Sequence, residues 1–257
     1  MTGKIIPIVG GNSEGWEKYA KELLDGTSAP EPTAITPATN IDCPDNYIIL
    51  PAKKHRDYEY PDMLVNMGKT HFGKDASDTR TLVYGSGYVE LTIRQFVDFL
   101  NLLRSGQAFD GTGGRIQPSK LLEIFNDITE VKNPWRAEHL DARFSKSGEQ
   151  MNMLYHVIEN GQAKEVMQPI DGYLTSNKNP GISLDDWLAT ATEHGLPRKQ
   201  TSNGNLWYWA PTDGTVARFD ANSGRAFLDC VRYPADSNPR LGVRLARAKI
   251  LSYDDRR

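Results

Sequence analysis

Arg225, Phe227 and Asp229 stand at alternate positions of Ser223-Gly-Arg-Ala-Phe-Leu-Asp-Cys230, interleaved with Ala226, Leu228 and Cys230. A period of two is the pattern of a strand with one buried face, so the cation, the aromatic and the anion are expected to point together toward solvent. These residue types suit recognition rather than bond-making, because an aromatic supplies contact area with few rotors and charges supply selectivity. Arg232, Tyr233 and Asn238 follow closely, and Trp207 and Trp209 share one face of Leu206-Trp-Tyr-Trp-Ala210, the richest aromatic run of the chain. The two tryptophans suit the core of a terminal sheet as well as a contact surface. A plain solvated face explains Arg225 and Asp229, and explains exposed Phe227 and Tyr233 less well.

Residues that could make or break bonds are sparse. Cys43 and Cys230 are the only cysteines and lie far apart, which rules out a C-x-x-C pair or a thiolate zinc site. The five histidines show no H-x-H or H-E-x-x-H spacing, so neither a metal nor a cofactor is expected. Asp185-Asp186 falls in the first turn of an expected helix, where capping and the helix dipole explain acids. Gly111-Thr-Gly-Gly114 lacks both the preceding strand and the Gly-Lys-Ser/Thr ending of a phosphate loop. No catalytic residue is assigned.

Composition narrows the partners. With 33 acidic and 30 basic residues interspersed over 257 positions, the net charge of -3 offers no positive field for nucleic acid or anionic lipid. No run approaches the roughly 18 apolar residues that span a bilayer. The start lacks the apolar segment of a secretory signal, so synthesis in the cytoplasm is expected. The 39% hydrophobic content is enough to bury a real core.

The elements that would hold these side chains can be read along the chain. Asn12 to Leu24 reads as a short amphipathic helix with Trp16, Tyr19, Leu23 and Leu24 near one stripe, and is a candidate oligomerisation element. Thr27 to Asn40 carries three prolines among small polar residues and is expected to run as an extended arm. Residues 1–45 are therefore an N-terminal helix and arm, and 46–257 a single body. In that body Asn46-Tyr-Ile-Ile-Leu-Pro51, Thr81-Leu-Val-Tyr84 and Tyr88-Val-Glu-Leu91 read as strands, with a loop-like stretch between the first two. Thr92 and Gln95 form a capping box for a helix with Ile93, Phe96, Val97, Leu100 and Leu103 inward, ended by Gly106. A second helix spans Ser119 to Asn126. Trp135 to Phe144 reads as a strand with Trp135 as a core anchor, paired with Met151 to Ile158, and Ser183 caps a short helix turned inward at Leu184, Trp187 and Leu188. From residue 201 short strands alternate with Gly, Asn, Asp and Pro turns.

Two segments carry a family likeness. Tyr88-Val-Glu-Leu-Thr-Ile-Arg-Gln-Phe-Val-Asp-Phe-Leu100 resembles a strand-to-helix segment of formylglycine-generating-enzyme-like domains, and Leu241-Gly-Val-Arg-Leu-Ala-Arg247 resembles their terminal G-F-R-x-x-R. The ending from Ala217 through Arg244 resembles the variable region of proteins diversified by retroelements, particularly archaeal and archaeal-virus ones. The resemblance implies an α+β, C-type lectin-like (formylglycine-generating-enzyme-like) fold with short antiparallel strands and two or three helices, preceded by an N-terminal helix. It implies a variable region at about 215–247 that displays changeable side chains on a fixed scaffold, toward a protein or cell-surface ligand. Under adenine-directed mutagenesis the outward set becomes Asn222, Arg225, Phe227, Asp229, Arg232, Tyr233, Ser237, Asn238 and Arg240, and the contact set of a binding module adds Trp207 or Trp209 beside them. Ala217, Phe219, Ala226, Leu228, Cys230, Leu241 and Val243 become the constant framework. The same likeness suggests an alternative, a cysteine-oxidising enzyme, which would need a pair of cysteines near the C-terminus where this chain has Cys230 alone. A calcium-dependent sugar lectin would need Glu-Pro-Asn, Gln-Pro-Asp or Trp-Asn-Asp triplets, and none occurs.

Overall fold

The computed structural model describes residues 43–159, 162–198 and 204–249. The expected helix at 12–24 and the proline-rich arm lie outside the described residues.

The first strands are short. β1 (Tyr47–Leu50), β2 (Lys53–His55), β3 (Tyr58–Tyr60) and β4 (Met63–Asn66) lead to α1 (Ala76–Gly85). The Thr81–Tyr84 strand is thus a correction. Asp75 caps a helix by accepting the Asp78 N–H at 2.8 Å, and Ala76, Thr79 and Val83 turn inward at helical spacing. A four-residue window with two β-branched side chains mimics a strand, but the cap and the longer period decide. The stretch expected to be loop-like also contains the β2–β3 hairpin and β4.

β5 (Val89–Glu90) is followed by α2 (Ile93–Ser105), whose capping box forms from both sides and whose C-cap Gly106 takes φ 66°. The expected apolar stripe is buried, and so are Arg94, Gln95 and Asp98 on the polar side. Asp98 explains that side: its two oxygens accept from Lys53 Nζ at 3.0 Å, Arg94 at 3.0 Å and the Tyr60 hydroxyl at 2.7 Å, with the His55 ring 2.8 Å away. The β2–β3 hairpin is pinned onto α2 by this hub, and a buried charge that is fully hydrogen-bonded is tolerated. The helix seats on the main sheet through Phe96, 5.3 Å from the Phe219 ring.

α3 (Pro118–Thr129) starts at proline, as pre-set φ favours, and Arg136 closes its far end by donating to the carbonyls of Asn126, Asp127, Glu130 and Lys132. The hairpin of β6 (Arg136–Ser147) and β7 (Gln150–Glu159) follows, then β8 (Gln162–Pro169), β9 (Lys178–Ile182), α4 (Leu184–Thr190), β10 (Leu206–Trp209), β11 (Val216–Ala221), β12 (Ala226–Arg232), β13 (Leu241–Gly242) and β14 (Leu245–Ala248). Ser183 caps α4 as expected, accepting from Asp186 N. The Trp187 indole donates to Gly195 O at 2.7 Å. Gly195 has φ 88°, and a Cβ there would stand 2.4 Å from the Arg94 backbone, so only glycine fits.

The larger sheet runs β8-β7-β6-β11-β12-β10-β9 with β13 beside β6, and a smaller one runs β1-β4-β14-β5. Pairing is antiparallel except β10 with β12 and β13 with β6. The architecture is α+β, with four α-helices among the described residues and with strands of up to 12 residues, longer than expected.

Arg244 joins the two sheets. It is 2% exposed and donates to Glu138 at 3.1 Å, to Asn66 O at 3.0 Å and to Met67 O, with its guanidinium 5.4 Å from the Phe99 ring. The Gly two residues earlier has an equally local reason: a Cβ on Gly242 would stand 2.8 Å from the Phe72 ring. Leu241-Gly-Val-Arg244 is therefore a structural clasp between sheets.

Candidate functional site

The parallel pairing of β10 with β12 sets Trp207 beside Phe227 and Trp209 beside Asp229, and the antiparallel pairing of β11 with β12 sets Asp220 opposite Phe227 and Arg218 opposite Asp229. Trp207, Trp209, Arg225, Phe227 and Asp229 thus share one sheet face, as their spacing implies. The inward set of Ala217, Phe219, Ala226, Leu228, Cys230, Leu241 and Val243 is buried on other faces of these strands.

Solvent access differs from expectation. Phe227 is 1% exposed and Asp229 0%, and Trp209 is buried as well. β12 is buried on both faces through Cys230, so the exposed face read from its alternation is corrected for these three residues. Two arrangements cover them. Trp209 lies edge-on to Phe227 at 5.1 Å and beside Trp207 at 5.6 Å, while the Arg225 guanidinium sits 4.0 Å over the Trp207 ring. Further along, Asp229 pairs with Arg232 at 2.5 Å and Asp220 with Arg218 at 2.9 Å, and Arg218 lies over the half-buried Trp135 ring at 5.6 Å. Burial pushes the Asp220 carboxyl up to about 6 against the pull of Arg218, and its second oxygen has no hydrogen-bond partner. His139, opposite Arg218 on β6, is lowered to about 4 by burial and lies 3.2 Å from the Lys74 carbonyl.

The remaining candidates fall into two patches. At the start of β12 stand Trp207, half-buried, with Arg225 over it and Asn222 in the turn, whose Oδ1 accepts from the N–H groups of Gly224 at 2.8 Å and Arg225 at 3.0 Å. At its end stand Arg232, Tyr233, Ser237, Asn238 and Arg240. Eight residues of strand rise separate Arg225 from Tyr233 by roughly 26 Å, so a single compact site cannot use both ends. Asn238, like Asn222, shapes a turn, its Oδ1 accepting Arg240 N at 2.9 Å. Tyr233 is 71% exposed, and Ser237 is exposed with it.

The second patch includes a residue that the reading of the sequence missed. Phe72 is 40% exposed, and its segment is laced to the C-terminal loop by Thr70 and Val243 exchanging backbone bonds, Gly73 N donating to Leu241 O and Ala76 N to Pro234 O. An isolated phenylalanine between Thr-His and Gly-Lys in a polar stretch was the available signal.

Cys230 is fully buried and burial pushes its thiol well up, which is the opposite of a reactive thiolate. Among the described residues no three His, Cys, Asp or Glu side chains are grouped to hold a metal ion, and no helix is long and apolar enough to cross a membrane. In comparisons with known proteins, no family model, no curated protein and no solved structure matches the chain.

Proposed function

We propose that this chain is a non-enzymatic ligand-binding protein of C-type lectin-like architecture, displaying a diversified recognition surface, toward a protein or cell-surface ligand, on a constant scaffold. One observation carries the reading. Residues 226–230 and 241–246 are all buried, whereas none of the ten residues 231–240 between them is. A loop held at both ends by buried framework can change its side chains at small cost, since surface substitutions usually stay within about 0.5 kcal/mol and core changes cost several.

The contact set is then Tyr233, Ser237 and Arg240 with Phe72 beside them, and Trp207 with Arg225 as a separate patch, while Arg232, tied to buried Asp229, belongs with the support. Phe227, Asp229 and Trp209 act as support beneath, and Asn222 and Asn238 hold the turns. An aromatic-and-arginine surface of mixed charge suits a macromolecular partner.

Sequencing the encoding locus tests the proposal. A reverse-transcriptase gene with a near-copy of the final coding segment is expected, differing at adenines and altering 233–240 while 226–230, Arg232 and 241–246 stay fixed. Differences spread evenly along the chain would refute it.

A further inference from the structure

Around Asp141 of β6 lies a group of charges that the proposed surface does not use. Glu90 of β5 is fully buried, and neither of its carboxylate oxygens has a hydrogen-bond partner. Asp141 of β6 is equally buried but well supplied, accepting the His156 backbone N–H at 2.6 Å with the His156 ring 3.1 Å away. Arg80 of α1 stands between the two acids, 3.7 Å from Glu90 and 3.9 Å from Asp141, within ion-pair range and beyond hydrogen-bond reach of either. Tyr84, one helical turn on, lies against the His156 ring at 4.0 Å with its hydroxyl toward Asp141. Glu165 of β8, opposite His156, pairs with Arg143, and Tyr58 and Tyr155 also face Asp141 while His139 faces Arg80.

Two buried carboxylates share one guanidinium, and the ring and backbone N–H of His156 serve Asp141 alone. Asp141 has donors to hold its charge and Glu90 has none, and a buried ion without hydrogen bonds is strongly disfavoured. A proton is the one ligand that cures this without a cavity.

We propose that Glu90 is a proton-operated latch: with its carboxyl protonated α1 stays docked on β5 and β6, and loss of the proton leaves a buried anion beside Asp141 that water can solvate only when α1 lifts away, against the pull of Arg80. The linkage reaches the recognition loop, because Ala76, the first residue of α1, donates its N–H to Pro234 O at 3.0 Å. Nothing in the latch depends on what that loop binds. Its direction follows from the carboxyl being raised from 4.5 to about 7, by burial first, with Asp141 adding to the rise and Arg80 and His156 opposing it. For an acid raised on folding, the stabilisation is complete below the unfolded value and is lost as pH rises through about 7.

Amide hydrogen exchange on the full chain, corrected for intrinsic rates, tests this at about pH 6 and about pH 8. Protection of residues 76–85 and of the 234–241 loop is expected to fall by up to about tenfold per pH unit as pH rises toward about 7, to level off above it, and to stay level throughout in E90Q. Equal protection at both pH values, or a parallel fall in E90Q, overturns the proposal. Infrared difference spectra of the unmodified sequence with isotope-labelled glutamate remove any dependence on the variant's folding. A glutamic-acid carbonyl band present at the lower pH and lost at the higher supports the latch. Its absence at the lower pH, which an ordered water donating to an ionised Glu90 would produce, overturns it.

Discussion

The stretches 226–230 and 231–240 are neighbours in sequence and opposites in physics. In the first, every side chain is buried, charged Asp229 included, and each has a structural duty: Leu228 and Cys230 in the main core, Phe227 under Trp209, Asp229 on Arg232. In the second, no side chain is buried, and backbone bonds rather than packing give the loop its shape: Asp236 N to Tyr233 O, Leu241 N to Asn238 O, and the tie from Ala76 to Pro234. Where the main chain defines conformation, side chains are free to differ. Where side chains define it, they are not.

Substitutions at the ends of this contrast should separate it most. R244A removes the guanidinium that serves Glu138 and two carbonyls, leaving a buried carboxylate unpaired, and is expected to cost about 3–5 kcal/mol by denaturant unfolding. F227A should cost about 3 kcal/mol, at the low end for a buried ring because Trp209 can relax into the space. A surface role for Phe227 would show instead as a change below about 0.5 kcal/mol. Asp220 and Glu90, raised to about 6 and about 7, should both make the protein less stable as pH rises, since each folded value exceeds the unfolded one. His139, lowered to about 4, works in the opposite sense below about pH 6.5, so the acids are read by difference: in denaturant unfolding between about pH 5 and about pH 8 the unmodified chain should lose on the order of 1–3 kcal/mol relative to E90Q, and a relative gain would contradict the assignment. R225A, which frees the Trp207 ring, is expected to cost about 0.5–1 kcal/mol. Y233A should leave stability within about 0.5 kcal/mol.

The sequence made legible whatever depends on local chemistry. Thr92 and Gln95 announce a helix start, Gly106 its end, Ser183 another start, and Pro234, Asp236, Asn238 and Pro239 a loop. The inward residues of β11 and β12 followed from alternation. Phe227 and Asp229 did not, because alternation tells two faces apart without telling which is covered, and the covering comes from Trp209 of another strand and from a charge pair. The α1 helix was hidden by a four-residue window that imitates a strand. Phe72 was hidden because its contact with Gly242 joins segments distant in the chain. Buried acids such as Glu90 read as surface residues until the fold brings a second acid beside them.

The central claim is that display and support are divided between these neighbouring stretches, and two libraries in the full chain test it directly. One randomises Tyr233, Ser237 and Arg240, the other Phe227, Leu228 and Asp229, with folding read by resistance to protease and binding by selection on unrelated protein targets. The account predicts that most members of the first remain folded and yield new binders, whereas few members of the second fold. Equal loss of folding in the two libraries would contradict it.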